Sequence, residues 1–535
     1  MLCALRLIVR FMKKLLISLL LALAAVSAAL FGALPYYLGI KAEESLAAQQ
    51  QLLSQSGFLT IESHQYRRGW FGATETTVVR LKPTLLHNTG KYLPDNIKTV
   101  LKEPVKIINH IQHGPFAGSF TPIRAHVETE FRYHPEAAKV LARFFGTQAP
   151  VSLTNTVHLS GSGKLSLTVP AFDYEELSGI KLNWQGLSGT TAYQPGFAAY
   201  SHDYTAPALL AELAGKGNIA LENLRIRTET TDGGNQLALG GSRFKLDKFS
   251  MHWKEGFDYH IKINELVNLI TDLQIGAFIN PTGTVAPSKI AVEKLSFDTQ
   301  TRENGEWIDS EGRFRFETLV YGDTRYGPLD INVTAEHLDA KSLLAVKNKM
   351  AELSSKEMNE EQIQSELLKT ARDEASGLFT RNPVLNVKNF TFKTPQGTID
   401  VKGRLGFNGL TRADMDNLSA MLDKTHARFD MQVPQKLLEQ LAVSQAGNIF
   451  SVNPEDLAEG RASLEDINET LRLMVESTVN SMAHGQYLTI DEGNIKTLLE
   501  LDNGRLKLNG RIFQTAPEPE FTEADMLPET AVSAP

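Results

Sequence analysis

LNVKNFTFKTPQGTIDVKGRLGF (residues 385–407) reads as a β-hairpin. Pro395, Gln396 and Gly397 supply the turn, because Pro presets φ and Gly tolerates the left-handed region. In the second arm Ile399, Val401, Leu405 and Phe407 share one parity, while Asp400, Lys402 and Arg404 take the other. Side chains alternate across a strand, so this period of two predicts one apolar and one polar face.

The same form recurs on both sides of the hairpin. IALENLRIRTETT (219–231), FKLDKFSMHW (244–253), IAVEKLSFDTQ (290–300) and RFRFETLVYGD (313–323) precede it, and LTIDEGNIKTLLELDNGRLKLNGRIF (488–513) follows. In each, an alternating run meets Asn, Lys or Glu, then Leu or Phe, then another short alternating run. Asp502-Asn503-Gly504 marks a further hairpin turn. The recurrence predicts meandering antiparallel sheet with one greasy face. Its spacing is too irregular for a strict solenoid.

Helical signals interrupt the strands. HPEAAKVLARFFG (134–146) is short and amphipathic. Residues 339–372 carry helix formers without Gly or Pro, with Asp339 as the expected cap. Residues 434–444 and 454–482 each begin at or beside a Pro suited to a first helical turn. The apolar spacing of 339–372 drifts from a heptad, which favours packing on its own sheet over dimerisation.

At the N-terminus, LLISLLLALAAVSAALFGAL (15–34) holds no charge and no Pro. Twenty helical residues match a bilayer core of about 30 Å. A transmembrane anchor over 15–38 is therefore expected, with Leu15, Leu16, Leu19, Leu20, Leu21, Leu30, Phe31 and Leu34 facing lipid. The basic flank Arg6, Arg10, Lys13 and Lys14 places the N-terminus in the cytoplasm and the body in the periplasm. A cleaved signal peptide, cut near Val26-Ser27-Ala28, is the competing reading. Cys3 is the sole cysteine and precedes the apolar run, which excludes disulfides and disfavours lipidation. A start at Met12 would itself give a conventional export segment.

The chain has 535 residues and a formal charge of −8. Its first 40 residues contain four bases and no acid, leaving 50 bases against 62 acids, or −12, on the rest. That charge argues against a nucleic-acid footprint. The expected division is a basic segment (1–14), the anchor (15–38), a sheet-rich domain (39–340), a helix-plus-sheet subdomain (341–514) and an acidic, Pro-rich disordered tail (515–535). The expected fold class is α+β, an N-terminal transmembrane helix before a large antiparallel-sheet-rich body.

No motif nominates a catalyst. Lys164 after Gly161-Ser162-Gly163 lacks the rest of a phosphate loop. His110 and His113 have a spacing that one helical face could use for a metal, but no third ligand adjoins them, and Gly114-Pro115 breaks a helix. The alternative is a strand or turn. Arg67-Arg68-Gly69-Trp70-Phe71-Gly72 is either a lipid-headgroup contact or a tight turn with buried aromatics. No cofactor or metal is expected, and an enzymatic role is less favoured than a binding one.

These motifs carry a resemblance. Tyr66-Arg67-Arg68-Gly69-Trp70-Phe71, His110-Ile111-Gln112-His113-Gly114-Pro115, Gly327-Pro328-Leu329-Asp330 and Asn382-Pro383 occur in the order found in the YdgA-like bacterial proteins. The chain resembles that family over most of residues 13–510. The resemblance implies an inner-membrane-associated, periplasm-facing protein of a Gram-negative envelope, a possible homodimer, and no catalytic residues to carry over. The acidic tail departs from the family. The expected function is a structural or binding role in the envelope, with lipid binding along an apolar sheet groove or an envelope hydrolase as alternatives. Envelope proteins and lipids are the expected partners, and nucleic acid is not.

Overall fold

The computed structural model of the chain describes residues 33–54, 56, 58–82, 101–114, 117, 122–253, 288–353, 360–441 and 464–513, with residues 18, 20–23, 26–27 and 31 as isolated positions before them. Helix α1 (Leu34–Ser54) opens the continuous part. Pro35, Leu38, Gly39, Ala42 and Leu46 form its buried stripe, the three-and-four spacing of a helix laid on a sheet.

Strands β1 (Leu59–Arg68), β2 (Gly72–Leu81), β3 (Val105–His113), β4 (Ile123–Arg132), β5 (Ser152–His158) and β6 (Gly163–Val169) each pair with the next. Then β7 (Phe172–Glu175) and β8 (Ile180–Trp184) form a side hairpin, and β9 (Leu187–Tyr193) returns to β6. The strands β10 (Ala199–Leu213), β11 (Gly217–Asp232), β12 (Ala238–Trp253) and β13 (Lys289–Asn304) are the longest, at 15 or 16 residues. They pair in sequence, with β9 and β8 dividing the other edge of β10.

Next, β14 (Trp307–Phe316) lies on β13, beside a second side hairpin of β15 (Thr318–Tyr321) and β16 (Thr324–Tyr326). From β14 the sheet passes to β17 (Leu329–Asp339), β18 (Val384–Thr394), β19 (Gly397–Phe407) and β20 (Thr425–Pro434). It ends with β21 (Thr489–Asp491), β22 (Asn494–Asp502), β23 (Arg505–Leu508) and β24 (Arg511–Ile512). Every pairing among the described residues is antiparallel, and apart from the side hairpins and β21, which leaves β20 beside β22, each strand lies beside its sequence neighbour.

The recurring Asn, Lys or Glu before Leu or Phe now has a structural meaning. Between β10 and β13 the pairing is interrupted along one line while the register holds: Ala206, Leu224, Leu246 and Leu295 are paired neighbours, and Ala208, Glu222, Lys248 and Glu293 are the next. Pro207, Asn223, Asp247 and Lys294 are skipped. One unpaired residue per strand shifts the alternation by one. Leu221 and Leu224, or Val292 and Leu295, therefore sit three apart yet share a face. Asn223 and Lys294 take left-handed φ values of 52° and 54° to do so.

The helices stand at the ends of the sheet. Helix α2 (Pro135–Phe145) packs Phe144 and Phe145 on Phe172 of β7. The expected single helix over 339–372 is two: α3 (Ala340–Leu353) and α4 (Glu360–Asp373) lie side by side, with Lys349 Nζ 3.3 Å from Glu366. Asp339 does act as the cap, accepting from the Ser342 backbone N–H at 2.9 Å. Short helices α5 (Gly377–Thr380) and α6 (Leu418–Asp423) follow, then helical residues 435–441 and α7 (Leu464–His484). Residues 442–463 and the expected tail, 515–535, lie outside the described residues.

The expected fold class needs correction. Strand outweighs helix by 53% to 27%, so the described residues form mostly antiparallel sheet with appended helices. Among the described residues no helix is long and apolar enough to cross a membrane. Leu34, assigned to the span, instead begins α1, which carries Lys41, Glu43 and Glu44 and buries its apolar stripe on the sheet. Leu20, Leu21 and Phe31 are exposed positions. Leu15, Leu16, Leu19 and Leu30 lie outside the described residues. Length, apolarity and a basic flank do not distinguish the end of such a run from the start of a helix that packs on strands.

Candidate functional site

Directly paired residues of an antiparallel sheet point to the same face. Following the register across nine strands gives one row: Tyr204, Ile226, Phe244, Phe297, Phe314, Ile331, Phe390, Val401 and Met431. At about 4.8 Å per strand the row is roughly 38 Å long. Ile399 and Leu405 of the original hairpin share this inner face, beside Phe392 and Leu385 respectively.

The inner face is covered at its two ends and open between them. At the C-terminal end Phe316, Leu329, Phe392 and Ile399 form a buried cluster with Leu437 from the 435–441 helix. Phe392 is fully buried, with Phe316 edge-on at 6.1 Å and Tyr326 stacked at 6.2 Å. At the N-terminal end Ala42 and Leu46 of α1 cover Ala73, Ile111, Val127 and Val157. In the middle, Ile226 and Phe297 stay 37% and 39% exposed. Ser296, one residue away on the polar face, is only 8% exposed.

Continued past Tyr204, the row runs through Gly189, Leu167, Leu153, Thr129, Asn109 and Glu75 to Tyr66. It becomes polar under α1. Glu75 is buried and accepts from Asn109 Nδ2 at 2.7 Å, with His64 Nε2 at 2.9 Å, and Thr129 Oγ1 donates to Asn109 at 2.7 Å. Burial pushes the Tyr66 phenol up, with Glu43 and Glu75 adding to it. Thr191 Oγ1 lies 2.7 Å from both His202 Nδ1 and Tyr204 Oη. Burial holds His202 below its usual range. Thr191 is itself buried, so this arrangement locks β9 to β10 and presents no accessible nucleophile.

Some of the family-motif positions, Arg68, Gly69, Trp70 and His113, lie where α1 begins. Gly69 donates its backbone N–H to Gly72 O at 2.8 Å, closing the tight turn between β1 and β2. The aromatics at that turn are not buried: Trp70 and Phe71 are 53% and 56% exposed. Trp70 lies 5.5 Å from Tyr36 and donates Nε1–H to Phe31 O at 3.3 Å. Arg68 sits over the Tyr36 ring and pairs with Glu43 at 2.9 Å, while Arg67 points outward opposite Thr74.

His110 and His113 lie on strand β3, where a spacing of three places them on opposite faces. His110 is exposed and pairs with Glu130 at 3.2 Å. His113 is buried against α1, its Nδ1 donating to Pro35 O at 3.1 Å. Burial holds His113 below its usual range. Gly114 adjoins Pro35, and Pro115 lies outside the described residues. Among the described residues no grouping of His, Cys, Asp or Glu could hold a metal.

Gly327 and Pro328, joined by a cis peptide, lead into β17 far along the sheet. There Asp330 accepts from Arg313 at 2.9 and 2.6 Å on the polar face, and that guanidinium holds its carboxyl below the usual range. The motifs therefore form two structural locks, one under α1 and one at the β14–β17 pair. The open row was missed because parity within a strand was visible, whereas which strands stood side by side was not.

No curated protein matches the chain. A bacterial family of unknown function, DUF945, matches residues 12–516, and the chain belongs to that family.

Proposed function

We propose that this protein is a binding protein of the bacterial cell envelope, working in the periplasm beside the inner membrane, whose open inner sheet face takes the acyl chain of a lipid. The observation that carries the reading is the aligned row from Tyr204 to Met431, exposed at Ile226 and Phe297. An extended hydrocarbon chain needs a long, narrow, apolar surface with no buried polar group to satisfy, and such a row offers it. Support for the location comes from the cysteine-free sequence after Cys3, from the YdgA-like order of the motifs, and from the exposed patch of Tyr36, Tyr37, Trp70 and Phe71 beside Arg67 and Arg68. Trp, Tyr and Arg together suit a headgroup region.

Native mass spectrometry of the purified full-length protein, with solvent extraction of whatever it carries, tests this. Co-purified lipid is expected, and the double variant Ile226→Glu/Phe297→Glu should retain about tenfold less, equivalent to about 1.4 kcal/mol. A lipid-free protein, or undiminished lipid in the variant, overturns the reading. A dimer that the same variant dissociates would assign the face to a second copy of the chain instead.

A further inference from the structure

The polar face carries a second feature, on the side away from the apolar row. Paired residues across β10 to β17 give two adjacent rows. One is Asp203, Arg227, Arg243, Asp298 and Arg313; the other is Thr205, Arg225, Lys245, Ser296, Arg315 and Asp330. Between β11 and β12 this opposes Arg227 to Arg243 and Arg225 to Lys245. Like charges directly opposite one another on a sheet are destabilising, yet here two such pairs lie side by side.

The two rows hold three carboxylates, Asp203, Asp298 and Asp330, against six cations, and Asp330 is taken up by Arg313. Asp203 is shared by Arg225 and Arg227, at 3.0 and 2.6 Å. Asp298 is shared by Arg243 and Arg315, at 2.6 and 3.1 Å. Lys245 has no hydrogen-bond or ion-pair partner among the described residues. A concavity of about 510 Å³ opens over this patch. Five cations line it (Arg227, Arg243, Lys245, Arg313 and Arg315) against Glu229, Asp298 and Glu311. Glu311 is already paired with Lys388 at 3.2 Å. Two buried polar atoms in the lining, Arg315 Nε and Asn332 Oδ1, have no hydrogen-bond partner.

We infer that this concavity is an anion site that takes a phosphate group. Guanidinium forks match phosphate oxygens in geometry and charge. A phosphate set among Arg227, Arg243 and Lys245 would neutralise both like-charge pairs. The site stands on the opposite face from the proposed acyl row and does not depend on it. A free phosphorylated small molecule and a phospholipid headgroup would present the same chemistry.

The test uses the full-length protein. Inorganic phosphate and pyrophosphate are titrated by calorimetry, with sodium chloride of matched ionic strength as the control. Phosphatidylcholine vesicles with and without phosphatidic acid form a second arm. Saturable binding to either phosphate source is expected, weakened about tenfold by Arg243→Gln/Lys245→Gln and unchanged by Lys402→Gln elsewhere on the sheet. Binding in the first arm points to a soluble ligand, and binding in the second arm alone points to a headgroup. Lys245→Gln should also melt no lower than the parent in phosphate-free buffer, since it removes repulsion and no partner. No saturable binding in either arm, an effect that chloride reproduces, or unchanged affinity in the double variant overturns the inference.

Discussion

His113 shows how tightly the first turn of α1 is fitted. A Cβ on Gly39 would lie 2.7 Å from His113 Cε1, and the ring is pinned by its bond to Pro35 O. Gly39→Ala should therefore cost about 1–3 kcal/mol, as overpacking does, and His113→Ala in the same chain should recover part of it; thermal melts of the four proteins check this. Burial holds the His113 imidazole below its ordinary value, so folding favours the neutral ring. Its contribution is fully present above about pH 6.5, the unfolded value, and is lost as pH falls toward the folded one. Melting temperature should thus drop between pH 7.5 and 5.5, less so in His113→Gln. Half-buried His202 acts in the same direction, so the variant flattens the profile only in part. A profile unchanged by His113→Gln would contradict this account. The sequence marked His113 as noteworthy without its role, because only the strand assignment separates it from His110.

The line of skipped residues across β10–β13 is an element-level device. Lys294 sits at φ 54°, where an L-residue costs about 1–2 kcal/mol. Its bond to Glu317 is exposed and contributes little. Lys294→Gly should stabilise by up to about 1 kcal/mol, whereas Lys294→Val, a branched side chain at positive φ, should destabilise. Denaturant midpoints of the two variants should move in opposite directions. Much of this was legible in sequence. The alternation in 219–231, 244–253 and 290–300 foretold strands, and their shared polar interruption was visible as a motif. What the interruption does was hidden, because a local shift in alternation has meaning only when the neighbouring strand shifts at the same place. The long helix expected over 339–372 failed for a related reason. Helix propensity continues through the sequence, and the contact of Lys349 with Glu366 that folds it back is non-local.

Across the whole molecule, the described residues hold three separate apolar clusters rather than one core. The first lies under α1, the second around Phe392, and the third around Val479, Leu488 and Ile495. Because strands touch mainly their sequence neighbours, stability should divide into local units, as in repeat proteins. Leu46→Ala, a fully buried truncation, should cost about 2–5 kcal/mol in the first unit. Hydrogen exchange should then accelerate in β1–β5 while β17–β19 keep their protection; uniform acceleration would indicate a single cooperative unit. The antiparallel meander itself was readable from the hairpin at 385–407. The open stretch at Ile226 and Phe297 was not, since exposure depends on what covers a face and not on its composition. The neighbour-to-neighbour order has a mechanical consequence as well. With β1 at one edge and β24 at the other, tension on those edges acts across the strands, along the hydrogen bonds. The ladders would be loaded in series and peel one strand at a time, like a zipper. The sheet would lengthen stepwise under modest pull, whereas strands sheared along their length would resist together.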